Sequence, residues 1–387
     1  MNTIWHSHRH SFINGVYAKN AMQGASSCSL RWRPTSNAML EDTEKKILEC
    51  LNSKYESKFV HLPTKQYNIW TLTVNPGCTD TVPLVLVHGM GGGIGLWILN
   101  LDELARDRTV YAIDLLGFGR SSRPGFSRNA ERAEKKFVES IEEWRKQMGL
   151  EEFILLGHSL GGYISTSYTI QYPECVRHLI LADPWGFPDK SEAREIPMKY
   201  RVIATIAKPF NPLAIMRVAG PWGPDLIKRF RGDLHAKFLG KLQDDTIYDY
   251  LYHCNARAPS GESAFRAMSD KLGRATNPMV ERIQHVLNDI PLTMIHGENS
   301  WIKRDAAYQV KELRKDSSVN IEVISDAGHH VYADESDLFN QSVQKVFDQV
   351  EHSQRQENLG HLSNSAEQSQ QTSGPSRRVE VAVESHL

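Results

Sequence analysis

Short apolar segments alternate with longer amphipathic ones along most of the chain, and this alternation predicts the fold. Segments rich in apolar residues and typical of strands occupy residues 67–74, 83–88, 109–115, 153–156, 176–181, 292–296 and 319–324. Patterns typical of helices cover residues 40–51 and 129–148, the segment that follows residue 159 as far as residue 172, and a closing segment that ends near residue 350. Strands that alternate with helices in this way predict a mostly parallel sheet with helices on both faces.

One internal stretch breaks this rhythm. Residues 189–285 are helical in pattern, rich in proline and aromatic side chains, and lie between two predicted sheet strands. Insertions at such a place commonly form a cap over the active site. We therefore predict a flexible basic arm over residues 1–40, one α/β domain with a cap over residues 41–350, and a disordered polar tail over residues 351–387.

The cap combines positive charge with apolar side chains. Residues 199–241 hold nine Lys or Arg side chains against only two aspartates, Asp225 and Asp233, and they interleave these charges with Ile, Leu, Met, Phe and Trp. This mixture suits anionic lipid head groups with acyl chains. It equally suits core-packed helices with solvated basic faces, so both interpretations stay open.

Composition excludes several classes of protein. The net charge of −1 over 387 residues gives no global indication of nucleic-acid binding. The five cysteines are scattered without a CxxC pair, which argues for a reducing compartment and against a disulfide framework or a zinc site. No apolar run reaches 18 residues and no secretory signal is recognisable, so neither a spanning helix nor export is expected.

The two ends of the chain bear on its compartment. Residues 1–40 contain no Asp or Glu and include Trp5 and Trp32, which is typical of a mitochondrial presequence, of a membrane-surface arm, or of a disordered tail. The last residues, Ser385-His386-Leu387, are a loose variant of the peroxisomal Ser-Lys-Leu signal. We expect an intracellular protein, in the cytoplasm at a lipid-droplet or membrane surface, with mitochondrion and peroxisome as alternatives.

The strongest chemical signal is a serine in a glycine-flanked turn. Gly157-His158-Ser159-Leu160-Gly161 follows an apolar strand and precedes a helix. In that setting Gly-x-Ser-x-Gly is a nucleophile elbow, in which a strained turn exposes the serine hydroxyl above the sheet. The alternative is a strand–helix turn without chemistry. We predict that Ser159 is a nucleophile.

A glycine-rich loop supplies candidate hydrogen-bond donors for an oxyanion. His88-Gly89-Met90-Gly91-Gly92-Gly93 follows a predicted strand, and no nucleotide-binding fingerprint accompanies it. The loop therefore fits an oxyanion hole better than a phosphate site. We predict that the N–H groups of Met90 and Leu160 stabilise the oxyanion.

A serine nucleophile needs a base, and the base needs an orienting acid. His329 follows the last predicted strand, where the base of this arrangement belongs, whereas His158 is expected to pack inside the elbow. Three carboxylates are candidates for the acid. Asp183 ranks first because it ends the predicted strand 176–181, which follows the elbow. Asp305 ranks second and Glu298 third, and both lie in the turn after the predicted strand 292–296.

Taken together, these residues resemble the α/β-hydrolase fold and, more narrowly, α/β-hydrolase domain-containing proteins 4 and 5 (peptidase S33-like). The resemblance covers about residues 30–350. The segments that carry it are residues 88–93 with Trp97 and Asn100, 114–124, 157–163, 184–188, 259–262 and 329–334.

The resemblance implies lipid substrates. Protein 4 of this subfamily acts as a lysophospholipase or N-acyl-phospholipid lipase. Protein 5 has asparagine in place of the nucleophile, serves on lipid droplets as co-activator of a triacylglycerol lipase, and has lysophosphatidate acyltransferase activity attributed to it. Ser159 departs from the asparagine form, and this favours a working hydrolase.

Three further features of the subfamily can be compared with this chain. The catalytic acid of the subfamily follows a Trp-Ile pair, but this chain has Lys303 at that position, so the acid role shifts to Asp183. Its His-x4-Asp acyltransferase motif is present as His329 and Asp334. Its Trp-rich droplet-binding arm is reduced to Trp32.

We therefore predict a serine-dependent lipid acyl hydrolase or acyltransferase of phospholipids and lysophospholipids, including acyl transfer to lysophosphatidic acid. The alternatives are a lipid-droplet co-activator of a triacylglycerol lipase, with weak or no catalysis of its own, and a hydrolase of small soluble esters. We expect no metal or nucleotide cofactor, and acyl-CoA is a candidate co-substrate. The expected partners are the phospholipid substrate, a membrane or droplet surface contacted peripherally, and a partner lipase, without nucleic acid.

Overall fold

The computed structural model describes residues 35–188, 212–270 and 273–372. These residues contain one eight-stranded sheet with the strand order β1-β2-β4-β3-β5-β6-β7-β8. Strands β1, β2 and β4 pair antiparallel, and the pairs from β4 to β8 are parallel. The strands are β1 Tyr55–Leu62, β2 Tyr67–Val74, β3 Leu84–Val87, β4 Val110–Ile113, β5 Phe153–His158, β6 Val176–Ala182, β7 Leu292–Gly297 and β8 Val319–Ile324.

The α-helices of the described residues cover both faces of the sheet and the insertion before β7. They are α1 Asn37–Leu48, α2 Leu101–Leu104, α3 Ala130–Met148, α4 Leu160–Gln171, α5 Pro212–Ala219, α6 Gly223–Phe230, α7 Asp233–Phe238, α8 Thr246–Asn255, α9 Ser260–Met268, α10 Asp305–Leu313, α11 Val331–Asp334 and α12 Ser336–Thr372.

The central strands are buried along their whole length because helices cover both faces of the sheet. Every residue of β3 and β5 is buried, so these strands are continuous apolar runs rather than alternating ones. Alternate side chains enter two separate cores: Val85 and Leu155 pack on one side, and Leu84 and Ile154 pack on the other. The predicted α/β architecture is confirmed.

Strand β1 is absent from the sequence-based prediction. It lies at the edge of the sheet, and its first five residues are exposed, with Glu56 and Lys58 among them. A polar edge strand of this kind carries no apolar run, and charged side chains there also block pairing with other chains. Helix α1 begins at Asn37, before the predicted start at residue 40, because the Ser36 side chain caps it by accepting from the Met39 N–H.

The closing helix α12 continues past residue 350, where the sequence predicts that it ends. Its extension is fixed to the domain by ion pairs from Arg108 to Glu351 and from Arg177 to Glu357. The tail predicted to be disordered from residue 351 therefore begins as helix. The predictions for residues 1–34 and 373–387, and for the start of the cap at residues 189–211, lie outside the described residues.

The described part of the insertion is helical, as predicted, and comprises α5 to α9. Arg123, in the loop after β4, binds this part of the insertion by donating to the backbone carbonyls of Cys254 and Ala258. Within residues 35–188, 212–270 and 273–372, no helix is both long and apolar enough to cross a membrane.

Candidate active site

The carboxyl ends of the parallel strands meet at one edge of the sheet, where α/β folds build their sites. The glycine-rich loop follows β3, Ser159 follows β5 and Asp183 follows β6. The turn that contains Ser300 follows β7, and His329 follows β8. The order of the strands therefore brings together residues that are far apart in sequence.

Ser159 lies in a strained turn between β5 and α4. Its φ of 53° falls in the left-handed region that non-glycine residues rarely adopt. A Cβ at Gly157 would collide with the backbone carbonyl of Gly161, and one at Gly161 would collide with the carbonyl of Val87. Only glycine fits at these two positions, and the turn points the serine side chain toward His329.

His329 connects the serine with a buried carboxylate. Its Nε2 lies 3.0 Å from Ser159 Oγ, and its Nδ1 lies 2.6 Å from Asp183 Oδ2. Because a carboxylate can only accept, Nδ1 carries the proton and Nε2 is left to accept from the hydroxyl. This is the tautomer that a general base for a serine needs.

Asp183 is held by three donors at the end of β6. The carboxylate is fully buried and accepts from His329 Nδ1, from His296 Nδ1 at 3.2 Å, and from the Ser300 hydroxyl. Burial raises the pKa of Asp183, but these hydrogen bonds outweigh it and hold the pKa below the ordinary value of an aspartate. The group is therefore an anion at neutral pH, able to stabilise an imidazolium.

The other two acid candidates lie elsewhere. Glu298 accepts from the backbone N–H of Asp326, and Asp305 is the exposed first residue of α10, in a surface groove with Glu281 and Tyr308. Neither carboxylate bonds to His329. The end of β7 and the turn after it, where the sequence offers these two acids, instead contribute two hydrogen-bond donors to Asp183.

Those donors, His296 and Ser300, were not identified from the sequence. The available signal was their position, since both lie in the segment His296-Gly297-Glu298-Asn299-Ser300 at the end of a strand next to β6. Trp301 is a further neighbour of the base without a signal in the sequence. Its exposed ring lies 4.8 Å from the His329 ring.

The glycine-rich loop adjoins the serine. A Cβ at Gly89 would lie 3.0 Å from the Cβ of Ser159. His88 accepts from the Leu115 N–H through Nε2 and therefore donates from Nδ1 to the Gly89 carbonyl, 2.7 Å away. Leu160, the other predicted donor, is the first residue of α4, where backbone N–H groups have no partner within the helix. The loop and the helix start thus bracket the serine.

Two histidines beside the base stay neutral. Burial is the main cause, and the charge of His329 the second, that lowers the pKa of His158 to about 3. Burial also lowers the pKa of His330 well below its ordinary value. His158 Nε2 donates to the backbone carbonyl of His329, 2.9 Å away. His158 is thus a packed residue of the elbow, as expected, with an added contact to the loop that carries the base.

Asp334 does not contact the His329 ring. Its Oδ2 accepts from the Gly328 N–H at 2.7 Å, and its other oxygen pairs with Lys237 of α7. The Asp334 carboxylate thus fixes the loop just before His329. The same carboxylate joins that loop to the cap.

Basic side chains of the described cap are mostly engaged in ion pairs. The pairs join Arg217 with Glu262, Lys228 with Asp245, Arg231 and Lys237 with Asp233, and Lys241 with Asp102. Several of them fasten cap helices to one another, and the last joins the cap to α2. The predicted contact of basic cap residues with an acidic head group stays a prediction.

The arrangement supports acyl transfer through a covalent intermediate. It brings together a serine hydroxyl, a base in the correct tautomer and an ionised acid, and the N–H groups of Met90 and Leu160 stay the predicted oxyanion donors. Among the described residues, no group of three or more His, Cys, Asp or Glu side chains could hold a metal ion.

Known proteins share this sequence and fold. The family described as alpha/beta hydrolase fold matches residues 82–336. The (Lyso)-N-acylphosphatidylethanolamine lipase of Mus musculus is 53% identical over 321 residues, covering 82% of this chain and 94% of the lipase. The 1-acylglycerol-3-phosphate O-acyltransferase ABHD5 of Homo sapiens is 45% identical, covering 82% of this chain and 92% of the acyltransferase. The predicted resemblance to the subfamily is thereby confirmed.

Solved structures agree on the fold. A membrane phospholipase A, described as a bacterial virulence factor, has a TM-score of 0.63 at 19% identity and covers 88% of this chain and 98% of its own. The naproxen esterase of Bacillus subtilis has a TM-score of 0.57 at 16% identity and covers 81% of this chain and 99% of its own. At this level of identity the likeness concerns the fold alone.

Proposed function

The chain belongs to the α/β-hydrolase fold family, and from that premise we propose that it is a serine-dependent acyl hydrolase of phospholipids and lysophospholipids. The observation that carries the proposal is the continuous set of contacts from Ser159 through His329 to Asp183, at 3.0 and 2.6 Å. Those distances are within hydrogen-bond range, so no rearrangement is needed for proton transfer.

The first half-reaction forms an acyl-enzyme. Ser159 Oγ attacks the carbonyl carbon of the acyl ester or amide while its proton passes to His329 Nε2. The oxyanion receives hydrogen bonds from the Met90 and Leu160 N–H groups, each worth about 3–4 kcal/mol in comparable enzymes. Cleavage of the bond to the leaving group follows, and His329 returns the proton to the departing oxygen or nitrogen.

The second half-reaction decides between hydrolysis and acyl transfer. A water molecule or a lysophospholipid hydroxyl attacks the acyl carbon and gives its proton to His329. The bond to Ser159 Oγ then breaks as His329 passes that proton to the departing serine oxygen, which restores the free enzyme. Free fatty acid results in the first case and a new ester in the second. With acyl-CoA as donor, the same acyl-enzyme would acylate lysophosphatidic acid.

Two observations support a lipid substrate. The relatives at 53% and 45% identity are named for a phospholipid-derived substrate and for an acylglycerol phosphate. Exposed apolar side chains also lie on the cap, among them Ile215, Phe230 and Leu239. We propose peripheral contact with a membrane or droplet surface through this side of the molecule, because exposed apolar groups with basic neighbours favour such an interface.

The competing function is that of a droplet-associated co-activator of another lipase. Its support in the sequence was Lys303 at the position where the subfamily has its acid. Asp183 reaches the base from β6, which removes the need for an acid at that position. An acyl hydrolase is therefore the function favoured here.

The test is fatty-acid release from a panel of lysophospholipids and N-acyl phospholipids, by wild type and by Ser159→Ala, with acyl-CoA in half of the reactions. The proposal predicts release by wild type and loss of at least about a thousandfold in the variant. The product separates hydrolysis from transfer. Equal inactivity of both proteins, with stimulation of an added triacylglycerol lipase, would replace the proposal with the co-activator function.

A further inference from the structure

The cap contacts the glycine-rich loop through one side chain. Asn255, the last residue of α8, donates from Nδ2 to the carbonyl of Gly91 at 2.7 Å and to the carbonyl of Leu251 at 2.9 Å. Asn255 is buried, and the φ of Gly91 is +73°. A Cβ at Gly91 would lie 3.2 Å from the Asn255 side-chain oxygen. The loop and the cap therefore fit closely at this point.

This contact reaches the predicted oxyanion donor through two peptide groups. The Gly91 carbonyl and the Gly92 N–H belong to one trans peptide, in which they point in opposite directions. The Gly92 N–H donates to the Gly89 carbonyl at 3.1 Å. That carbonyl in turn shares a peptide with the Met90 N–H. Fixing the Gly91 carbonyl on the cap side therefore fixes the direction of the Met90 N–H on the opposite side of the loop.

We propose that Asn255 is a positioning residue for the Met90 N–H, so that the oxyanion hole takes its shape only when the cap is in place. The proposal rests on the proposed function and extends it to the control of the same site. His88 holds the Gly89 carbonyl from within the domain, whereas Asn255 holds the loop from the cap.

The cap side of this contact is itself secured. Arg217 of α5 donates to the backbone carbonyl of Asn255 and makes a two-contact ion pair with Glu262 of α9, at 2.8 and 3.0 Å. Guanidinium–carboxylate pairs of this geometry are directional and hold their partners in register. Three cap helices thus converge on the residue that contacts the loop.

The test compares Asn255→Asp and Asn255→Leu with wild type, using two inhibitors with the same lipid chain. A trifluoromethyl ketone forms a tetrahedral adduct with Ser159 and places an oxyanion in the hole, whereas an alkyl-ether lysophospholipid has no carbonyl and does not use the hole. We expect kcat/KM to fall about 10- to 100-fold, less than the 10²–10³-fold loss for a deleted donor. The Ki of the ketone should rise by the same factor, with the Ki of the ether within about twofold of wild type.

The matched control is Asn75→Asp. Asn75 also donates from its side-chain amide to a backbone carbonyl, that of Ala105 at 2.9 Å, but between the end of β2 and the residue after α2. This control should leave both inhibition constants and kcat/KM near their wild-type values. Thermal midpoints are measured for all variants, and Asn255→Leu serves where the aspartate variant does not fold.

The outcomes separate this inference from the proposed function. If the Asn255 variants bind the ether and the ketone more weakly by the same factor, then Asn255 shapes the lipid pocket. That result would overturn the positioning role. Unchanged kcat/KM and ketone affinity would overturn it as well. Persistence of activity in Ser159→Ala would instead overturn the proposed function, independently of Asn255.

Discussion

Replacement of Asp183 by asparagine tests the acid that the structure places in the site. The carboxylate is fully buried and accepts from His329, His296 and Ser300. An asparagine of the same shape has one accepting oxygen and a donating amino group. When the oxygen takes the place of Oδ1 and accepts from His296, the amino group takes the place of Oδ2 and faces His329 Nδ1, with which it can pair only when that nitrogen is unprotonated.

The proton of His329 then moves to Nε2, where it blocks acceptance of the serine proton. The corresponding change in a serine protease lowers kcat about 10⁴-fold, which equals about 5 kcal/mol of lost transition-state stabilisation. We expect a loss of similar size here, with little change in KM because the carboxylate does not face the substrate. The assay is the initial rate of fatty-acid release from a lysophospholipid, together with the rate of Ser159 labelling by a fluorophosphonate.

Two variants are matched controls for the loss of a carboxylate. Asp305→Asn and Glu298→Gln change the two acids that do not bond to His329. Both should retain activity within about twofold of wild type. If Asp183→Asn keeps most of its activity while either control loses it, then the assignment of the acid is wrong.

Three further predictions concern the loop of His329, a buried carboxylate of α1 and a glycine of the elbow. Asp334→Ala frees the loop of His329 from the cap, so hydrolysis and acyl transfer should fall together by about tenfold, and a selective loss of transfer would contradict this. Burial is the main cause, and the charge of Asp114 the second, that raises the pKa of the Glu44 carboxyl to about 8. Between the unfolded-state pKa near 4.5 and this value, the folded protein binds more protons than the unfolded chain. The free energy of unfolding therefore falls as the pH rises toward 8. Urea unfolding of Glu44→Gln should therefore show a stability gain over wild type that grows between about pH 5 and pH 8, and an equal difference at both pH values would refute the burial argument. Gly157→Ala should destabilise the fold by more than about 3 kcal/mol in urea unfolding, whereas Gly125→Ala, where a Cβ meets no atom within 4 Å, should be near neutral.

The central strands could be predicted from the sequence because both of their faces are buried. Continuous apolar runs then identify them, as at β3 and β5, within a residue or two of the observed ends. Strand β1 could not be predicted in this way. Its first five side chains are exposed at the sheet edge, so the start of the strand is polar and lacks an apolar run.

Ser159 and His329 could be identified as candidates for nucleophile and base because each follows a strand in a short segment with its own signature. The acid could not be fixed to one residue, since several carboxylates follow strands and only the fold decides which one lies against the imidazole. His296 and Ser300 have no signature at all. Their contribution depends on β7 lying beside β6, which is a property of the strand order.

The sequence also could not decide whether the basic side chains of the cap are paired with carboxylates. Nine basic residues between positions 199 and 241 suggested a surface for acidic head groups. In the described part, Arg217, Lys237 and Lys241 are paired with carboxylates from other elements. Those pairs join segments distant in sequence, so counting charges along the chain could not reveal them.

The most direct measurement of the central claim is covalent labelling of the folded protein with a fluorophosphonate, with the modified residue located by peptide mass spectrometry. The account predicts a single adduct on the peptide that contains Ser159, slowed by a lysophospholipid in proportion to its binding and abolished in Ser159→Ala. Failure of the folded wild-type protein to react, or labelling that Ser159→Ala retains, would show that the contacts among Ser159, His329 and Asp183 do not activate the serine.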